Sequence, residues 1–375
     1  MKIPRFYQNL EAHYEPGKVL VIYGPRRVGK TTLLNDFLAR SRFRYKLDSG
    51  DNIRVQDILS SQDFTRIKEY AAGYELIAID EAQRIPQVGH GLKIMVDHIP
   101  GIRIIATGSS SFELSGQIGE PLTGRKHTLT LYPLAQLELS SLYNPYELKE
   151  KLHQWMVFGS YPDVINAVSE SEKRTVLEEL VHSYLLKDIL EIERVKGSKI
   201  LLDLLRLIAF QVGNEVSLSE LGSQIGIDTK TVARYLDLFE KSFVLYNLRG
   251  FSRNLRKEIT KKSKYYFYDN GVRNAIISNF NDMTLRNDVG ALWENFLIAE
   301  RLKKASYHTI YANRYFWRTW DRKEVDFVEE REGKLFGYEF KWGEGSKKPP
   351  KDWLATYPNA TYEVIDRGNY MQFIT

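Results

Sequence analysis

Short apolar runs punctuate the N-terminal third of the chain. Val19–Tyr23 is continuously apolar and β-prone, so "KVLVIYGPRRVGKTTLL" reads as a strand, a glycine-bearing loop and a helix starting near Gly29. "ELIAIDEAQ" (75–83) is a second strand, delivering Asp80 and Glu81 to the C-terminal edge of a sheet. "GIRIIATGSSSFEL" (101–114) is a third, ending in small polar residues. From Ser198 the period becomes helical, first in "KILLDLLRLIAFQVG" and then in two helices that flank a tight turn at Gly226. In the second of these Val232, Leu236 and Phe239 share one face, Lys230 and Arg234 point elsewhere, and Asp228 can cap the start. "ALWENFLIAERLKK" (291–304) reads as an amphipathic helix. "EVDFVEE" and "LFGYEFKW" alternate as strands around "REGK", with Glu332-Gly333 as the hairpin turn. That turn sets Asp326 opposite Glu339, with Lys341 two residues further along the same face.

Composition sets outer bounds. A length of 375 residues with 43% hydrophobic content exceeds what one core usually supports, so about two to four domains are expected. The absence of cysteine excludes disulfides, thiolate metal sites and cysteine nucleophiles. The start, "MKIPRFYQNLEAHYEPG", lacks the apolar segment of a signal peptide, and "ILLDLLRLIAF" is interrupted by Asp203 and Arg206. A cytoplasmic protein without a membrane span is the expectation. The net charge of +5 is unevenly spread, because residues 251–275 alone hold seven Lys or Arg against Glu258 and Asp269.

The first strand leads into candidate chemistry. Gly24, Gly29, Lys30 and Thr31 satisfy GxxxxGK[ST] between a strand and a helix, the context in which backbone N–H groups close around phosphate. Pro25, Arg26, Arg27, Val28 and Thr32 complete the loop. Lys30 would reach the β and γ phosphates of ATP and Thr31 would ligate Mg2+. Asp80 would hold the same ion, and Glu81 would polarise the attacking water. The alternative is that both acids simply enrich a helix N-terminus. Ser109 is the first choice for sensing the γ-phosphate, with Thr107 next to it.

Two further regions remain open on sequence grounds. Lys230 and Arg234, with Arg253, Arg256, Lys257, Lys261 and Lys262 in a β wing, could contact nucleic-acid phosphates, or the module could serve protein contacts and architecture. Asp326, Glu339 and Lys341, with Glu294 from the upstream helix, could bind Mg2+ and stabilise a phosphodiester transition state. Equally, Lys341 could make a cross-strand ion pair with Glu324.

On these motifs the N-terminal third resembles the AAA+ ATPases, with "GPRRVGKTT" as Walker A, "LIAIDEAQ" as Walker B and "ATGSSS" as sensor 1. The resemblance implies an α/β fold, a parallel sheet ordered 5-1-4-3-2 and ATP at its C-terminal edge. "PLTGRKHTLTLYPLAQLE" and "FGSYPDVIN" resemble the join to a helical lid in one bacterial and archaeal AAA+ family. There Arg125 would act on a neighbouring chain's γ-phosphate, implying a homo-oligomer, and Pro162 would lie against adenine; a surface ion pair and a plain turn are the alternatives. "WENF", "EVDF" and "EFKW" resemble the PD-(D/E)xK nuclease fold found in the uncharacterised region that follows this core. The implied layout is an ATPase core (1–132), a lid (133–197), a winged helix-turn-helix (198–278) and a nuclease-like domain (279–375). An ATPase acting on nucleic acid, in DNA processing or defence, is the leading expectation, and a nucleotide-controlled switch of protein contacts is its rival.

Overall fold

The structure, a computed structural model, describes residues 3–15, 17–109, 121–185, 198–251, 263–319, 323–343 and 348–375. The fold is α/β, built on a parallel-sheet P-loop core and a mixed C-terminal sheet. The core contains β1 (Val19–Tyr23), β2 (Tyr45–Ser49), β3 (Leu76–Asp80), β4 (Arg103–Gly108) and β5 (Lys126–Thr130), in the order β2-β3-β4-β1-β5. All neighbours are parallel, matching the expected 5-1-4-3-2. Both faces of β1 are apolar because both are covered. Leu20 and Ile22 pack with α1 (Lys30–Leu38), while Val19 and Val21 share a second cluster with α2 (Ile53–Leu59), α3 (Phe64–Ala71) and α4 (Val88–His98).

A helical segment follows: α5 (Gln136–Leu139), α6 (Pro145–Glu150), α7 (Leu152–Phe158), α8 (Pro162–Asn166) and α9 (Glu170–Glu179). Next come α10 (Ser198–Phe210), α11 (Leu218–Ile225) and α12 (Thr229–Lys241). Gly226 makes the left-handed turn between the last two, and Asp228 caps α12 by accepting from the Thr231 amide at 2.9 Å. Val232, Leu236 and Phe239 are buried, whereas Lys230 and Arg234 are exposed.

β7 (Leu245–Gly250) and β8 (Ser263–Phe267) pair antiparallel, as the arms of a wing would. Arg253, Arg256, Lys257, Lys261 and Lys262 lie outside the described residues. The two strands do not stand alone. They belong to a seven-stranded sheet, β12-β11-β10-β9-β7-β8-β6, with β6 (Glu215–Val216), β9 (Asn313–Arg318), β10 (Glu324–Arg331), β11 (Lys334–Phe340) and β12 (Thr361–Ile365). The boundary expected after residue 278 therefore falls between strands of one sheet.

The β10–β11 hairpin has the expected register, with Phe327 opposite Tyr338. Glu332 and Gly333 both take positive φ (49° and 75°), as a two-residue turn matched to strand twist requires. The helices of this region are α13 (Asn270–Ile276), α14 (Val289–Tyr307), α15 (Lys351–Thr356) and α16 (Tyr370–Ile374). The amphipathic reading of residues 291–304 is corrected here, since α14 buries Glu300, Arg301 and Lys303 as well as Trp293 and Leu297. Its charges are tolerated because each is paired: Arg301 with Glu329 at 2.7 Å and Lys303 with Glu300 at 2.7 Å.

Candidate active site

At the C-terminal edge of the parallel sheet, β1 runs into the glycine loop. A Cβ on Gly24 would lie 2.0 Å from the Leu131 carbonyl oxygen, so no larger residue fits. Gly29 caps α1 in a left-handed conformation and starts the helix beneath the loop. Lys30 is buried, and its ammonium donates to the Gly24 and Pro25 carbonyls at 2.9 and 2.8 Å. A cation held inside this loop stands where phosphate oxygens would enter.

Asp80 ends β3 beside α1 and accepts two hydroxyl protons, from Thr31 at 2.8 Å and from Thr107 on β4. Glu81 adopts left-handed φ and ψ (52°, 42°) and makes no side-chain cap to the turn Ala82–Arg84. Glu81 thus stands at the start of that turn, as the alternative reading has it, with its carboxylate engaged elsewhere than on the turn's amides. The Glu81 amide donates to Thr107 Oγ1 at 3.2 Å, and the Gln83 side-chain amide donates to the Glu81 carboxylate and, at 3.0 Å, to Ser109 Oγ. Thr107 therefore touches both acidic residues, whereas Ser109, the first choice from sequence, reaches Glu81 only through Gln83. The Thr31 hydroxyl and Asp80 carboxylate are hard oxygen donors on adjacent elements, a donor set that fits Mg2+.

The helical segment closes one side. Pro162 opens α8 and lines, with Val28, Gly29 and Thr32, a cavity of about 380 Å³ next to the loop. Arg27 turns from the loop to Asp163 (3.1 Å) and Glu179 (3.2 Å), while Arg26 lines a second cavity with Tyr161 and Asp269. Arg125 sits at the surface in an ion pair with Asp97 of the same chain at 2.7 Å.

Sequence reading missed the residue that links the loop to distant segments. Buried Arg5 donates to the Val28 carbonyl at 2.6 Å, to Glu138 at 2.9 Å and to the Tyr307 hydroxyl at 3.2 Å. In sequence Asp269 is one acid in a basic stretch. It is buried, accepts from the Ser160 amide at 2.7 Å and caps α13 through the Val272 amide.

The second candidate site lies on the mixed sheet, where Glu294, Asp326, Glu339 and Lys341 line one cavity of about 720 Å³. The alternative Lys341–Glu324 pair is not formed; Lys341 donates to Glu339 at 2.8 Å, and Glu324 instead receives Lys264 from β8. A tyrosine, Tyr266, donates to Glu294 at 2.5 Å, and the Phe340 amide donates to Asp326 at 2.8 Å. Burial, reinforced by Glu294 and Glu339, pushes the Asp326 carboxyl up to about 8. Among the described residues no three His, Cys, Asp or Glu side chains converge as a metal site.

Residues 16–140 match the family described as "AAA domain". That match covers a third of the chain, and the segment it covers holds the P-loop, whose geometry is that of a nucleotide-phosphate site. Behind this segment, residues 149–283 and 289–363 match two domains of unknown function (DUF8612 and DUF4143). Relatives include an uncharacterized protein of Mycobacterium tuberculosis, 26% identical over 86% of this chain and 70% of its own length. Another, from Haemophilus influenzae, is 26% identical over 87% of this chain and 83% of its own. Similar solved structures include the Thermotoga maritima RuvB Holliday junction branch migration motor, at 16% identity and TM-score 0.30 over 65% of this chain and 89% of that one. Aeropyrum pernix ORC2 in its ADP form gives 13% identity and TM-score 0.34 over 73% and 91%. No helix among the described residues is long and apolar enough to cross a membrane.

Proposed function

We propose that this chain is a Mg2+-dependent ATP hydrolase that works on nucleic acid through the helix-turn-helix at α11–α12 and the mixed sheet. The observation that carries the reading is the contact of Thr31 and Thr107 with Asp80, with Thr107 also accepting from the Glu81 amide. In this reading the loop amides and Lys30 bind and orient the triphosphate, with Pro162 and Val28 against the base. Thr31 and Asp80 would hold Mg2+, which when bound neutralises phosphate charge. Glu81 accepts the proton of a water whose oxygen bonds to the γ-phosphorus as the β–γ bridging bond breaks. Gln83 and Ser109 fix the Glu81 carboxylate, and Thr107 orients Asp80.

The nucleic-acid part rests on Lys230 and Arg234, both exposed on capped α12. DNA affinity should fall steeply with salt, because each phosphate contact releases counterions. In Lys230→Glu with Arg234→Glu the affinity should fall about tenfold or more at low salt and the salt slope should flatten. Fluorescence anisotropy with labelled duplex and single-stranded DNA reads both. Salt-independent or absent binding would favour the second reading, a nucleotide-controlled switch of protein contacts. The Arg5 network favours that alternative, since it ties the loop to Tyr307 at the end of α14.

A further inference from the structure

The carboxylates of the cavity on the mixed sheet already have a cation. Lys264 is 3% exposed, and its ammonium lies against Glu324 and 3.7 Å from Glu294. It projects from β8, a strand that sequence reading assigned to the wing, into the acids expected to hold Mg2+. The surrounding donors complete the set. Tyr266 serves Glu294, the Phe340 amide serves Asp326, and Lys341 serves Glu339. We infer that Lys264 is the resident cation of this cavity, and that the nuclease-like site is closed to divalent metal.

The physical argument is one of competition. A divalent ion needs about six oxygen ligands that turn their lone pairs inward. Here the acids are turned toward protein N–H and O–H donors, and the space between Glu294 and Glu324 is spanned by an ammonium on a buried stem. Driving that ammonium out would leave a cation stranded in a largely buried position, which is costly. Metal could enter only with that penalty. The sequence of the hairpin gives no hint of this, because Lys264 and Glu324 are sixty residues apart.

The inference is independent of the ATPase reading, and its test uses nucleotide-free full-length protein. Mn2+ bound per chain is measured by equilibrium dialysis, and the thermal midpoint is followed with and without Mn2+, in wild type, Asp326→Asn and Lys264→Met. Mn2+ captured by the P-loop residues is common to all three and cancels. Wild type and Asp326→Asn should bind the same number of ions and show the same midpoint shift. Lys264→Met should bind one more ion and gain a midpoint rise of a few degrees, since a ligand held only by the folded state stabilises it. Adding Glu294→Gln should abolish that gain. If wild type binds one ion more than Asp326→Asn, Lys264 does not close the site and the inference fails. It fails too if folded Lys264→Met gains no ion. Should Lys264→Met not fold, the comparison of wild type with Asp326→Asn decides alone.

Discussion

Thr107 donates its hydroxyl proton to Asp80 and accepts from the Glu81 amide, so one side chain fixes both ends of the acid pair. Thr107→Val keeps the shape and removes the hydroxyl. We expect ATP affinity close to wild type and hydrolysis lower by about tenfold, as when a buried hydrogen bond worth about 1–1.5 kcal/mol is lost from the reacting geometry. Ser109→Ala should cost less, because Ser109 acts on Glu81 only through Gln83. Single-turnover hydrolysis and nucleotide titration separate the two variants. A larger defect in Ser109→Ala would favour Ser109 as the γ-phosphate sensor. Both residues stood in the strand read from sequence, but their ranking depended on which hydroxyl points at β3, a matter of strand register that no motif states.

Between elements, α12 meets β7 through Glu240, whose carboxylate accepts from the Asn247 side chain at 3.2 Å. Burial pushes this carboxyl up to about 7, with Asp237 adding to the rise while Asn247 pulls the other way. The folded chain holds the proton more tightly than the unfolded chain, where the value is 4.5. Its stabilising contribution is therefore complete below pH 4.5 and lost as pH rises through about 7. Glu240→Gln should remove this slope and be more stable than wild type above pH 7 by about 1–2 kcal/mol, allowing for partial exposure. Denaturant titrations across that pH range read the difference, and parallel slopes for the two proteins would contradict it. Elements of this size were largely legible in advance. The capped α12, the β10–β11 register and the P-loop each follow from a period, a turn or a spacing carried by a few adjacent residues. What stayed hidden was the all-round burial of α14, because its charges are neutralised by residues remote in sequence, such as Glu329 for Arg301. Arg5 with Glu138, 133 residues apart, and Asp269 with Ser160, 109 apart, were hidden for the same reason.

Across the described residues, one apolar cluster joins Tyr7 and Ile22 of the P-loop core through Trp155 and Leu204 to Trp293 and Ile374. This packing and the Arg5 contacts make the P-loop physically continuous with α14. Assembly would add a further level. Arg125 is held by Asp97 in the single chain, and we expect a neighbouring chain's triphosphate to draw it away. Activity per chain should then rise with protein concentration in wild type, and Arg125→Ala should abolish the rise with ATP affinity nearly intact. A flat profile across the concentrations at which oligomers form would leave Arg125 a surface ion pair. The central claim, that Glu81 activates water for attack on ATP held by Lys30, Thr31 and Asp80, is tested most directly by Glu81→Gln. ATP binding and steady-state hydrolysis are measured on the same preparation. The account predicts unchanged affinity with hydrolysis reduced by about 10²–10⁴-fold. Hydrolysis equal to wild type in Glu81→Gln would contradict it.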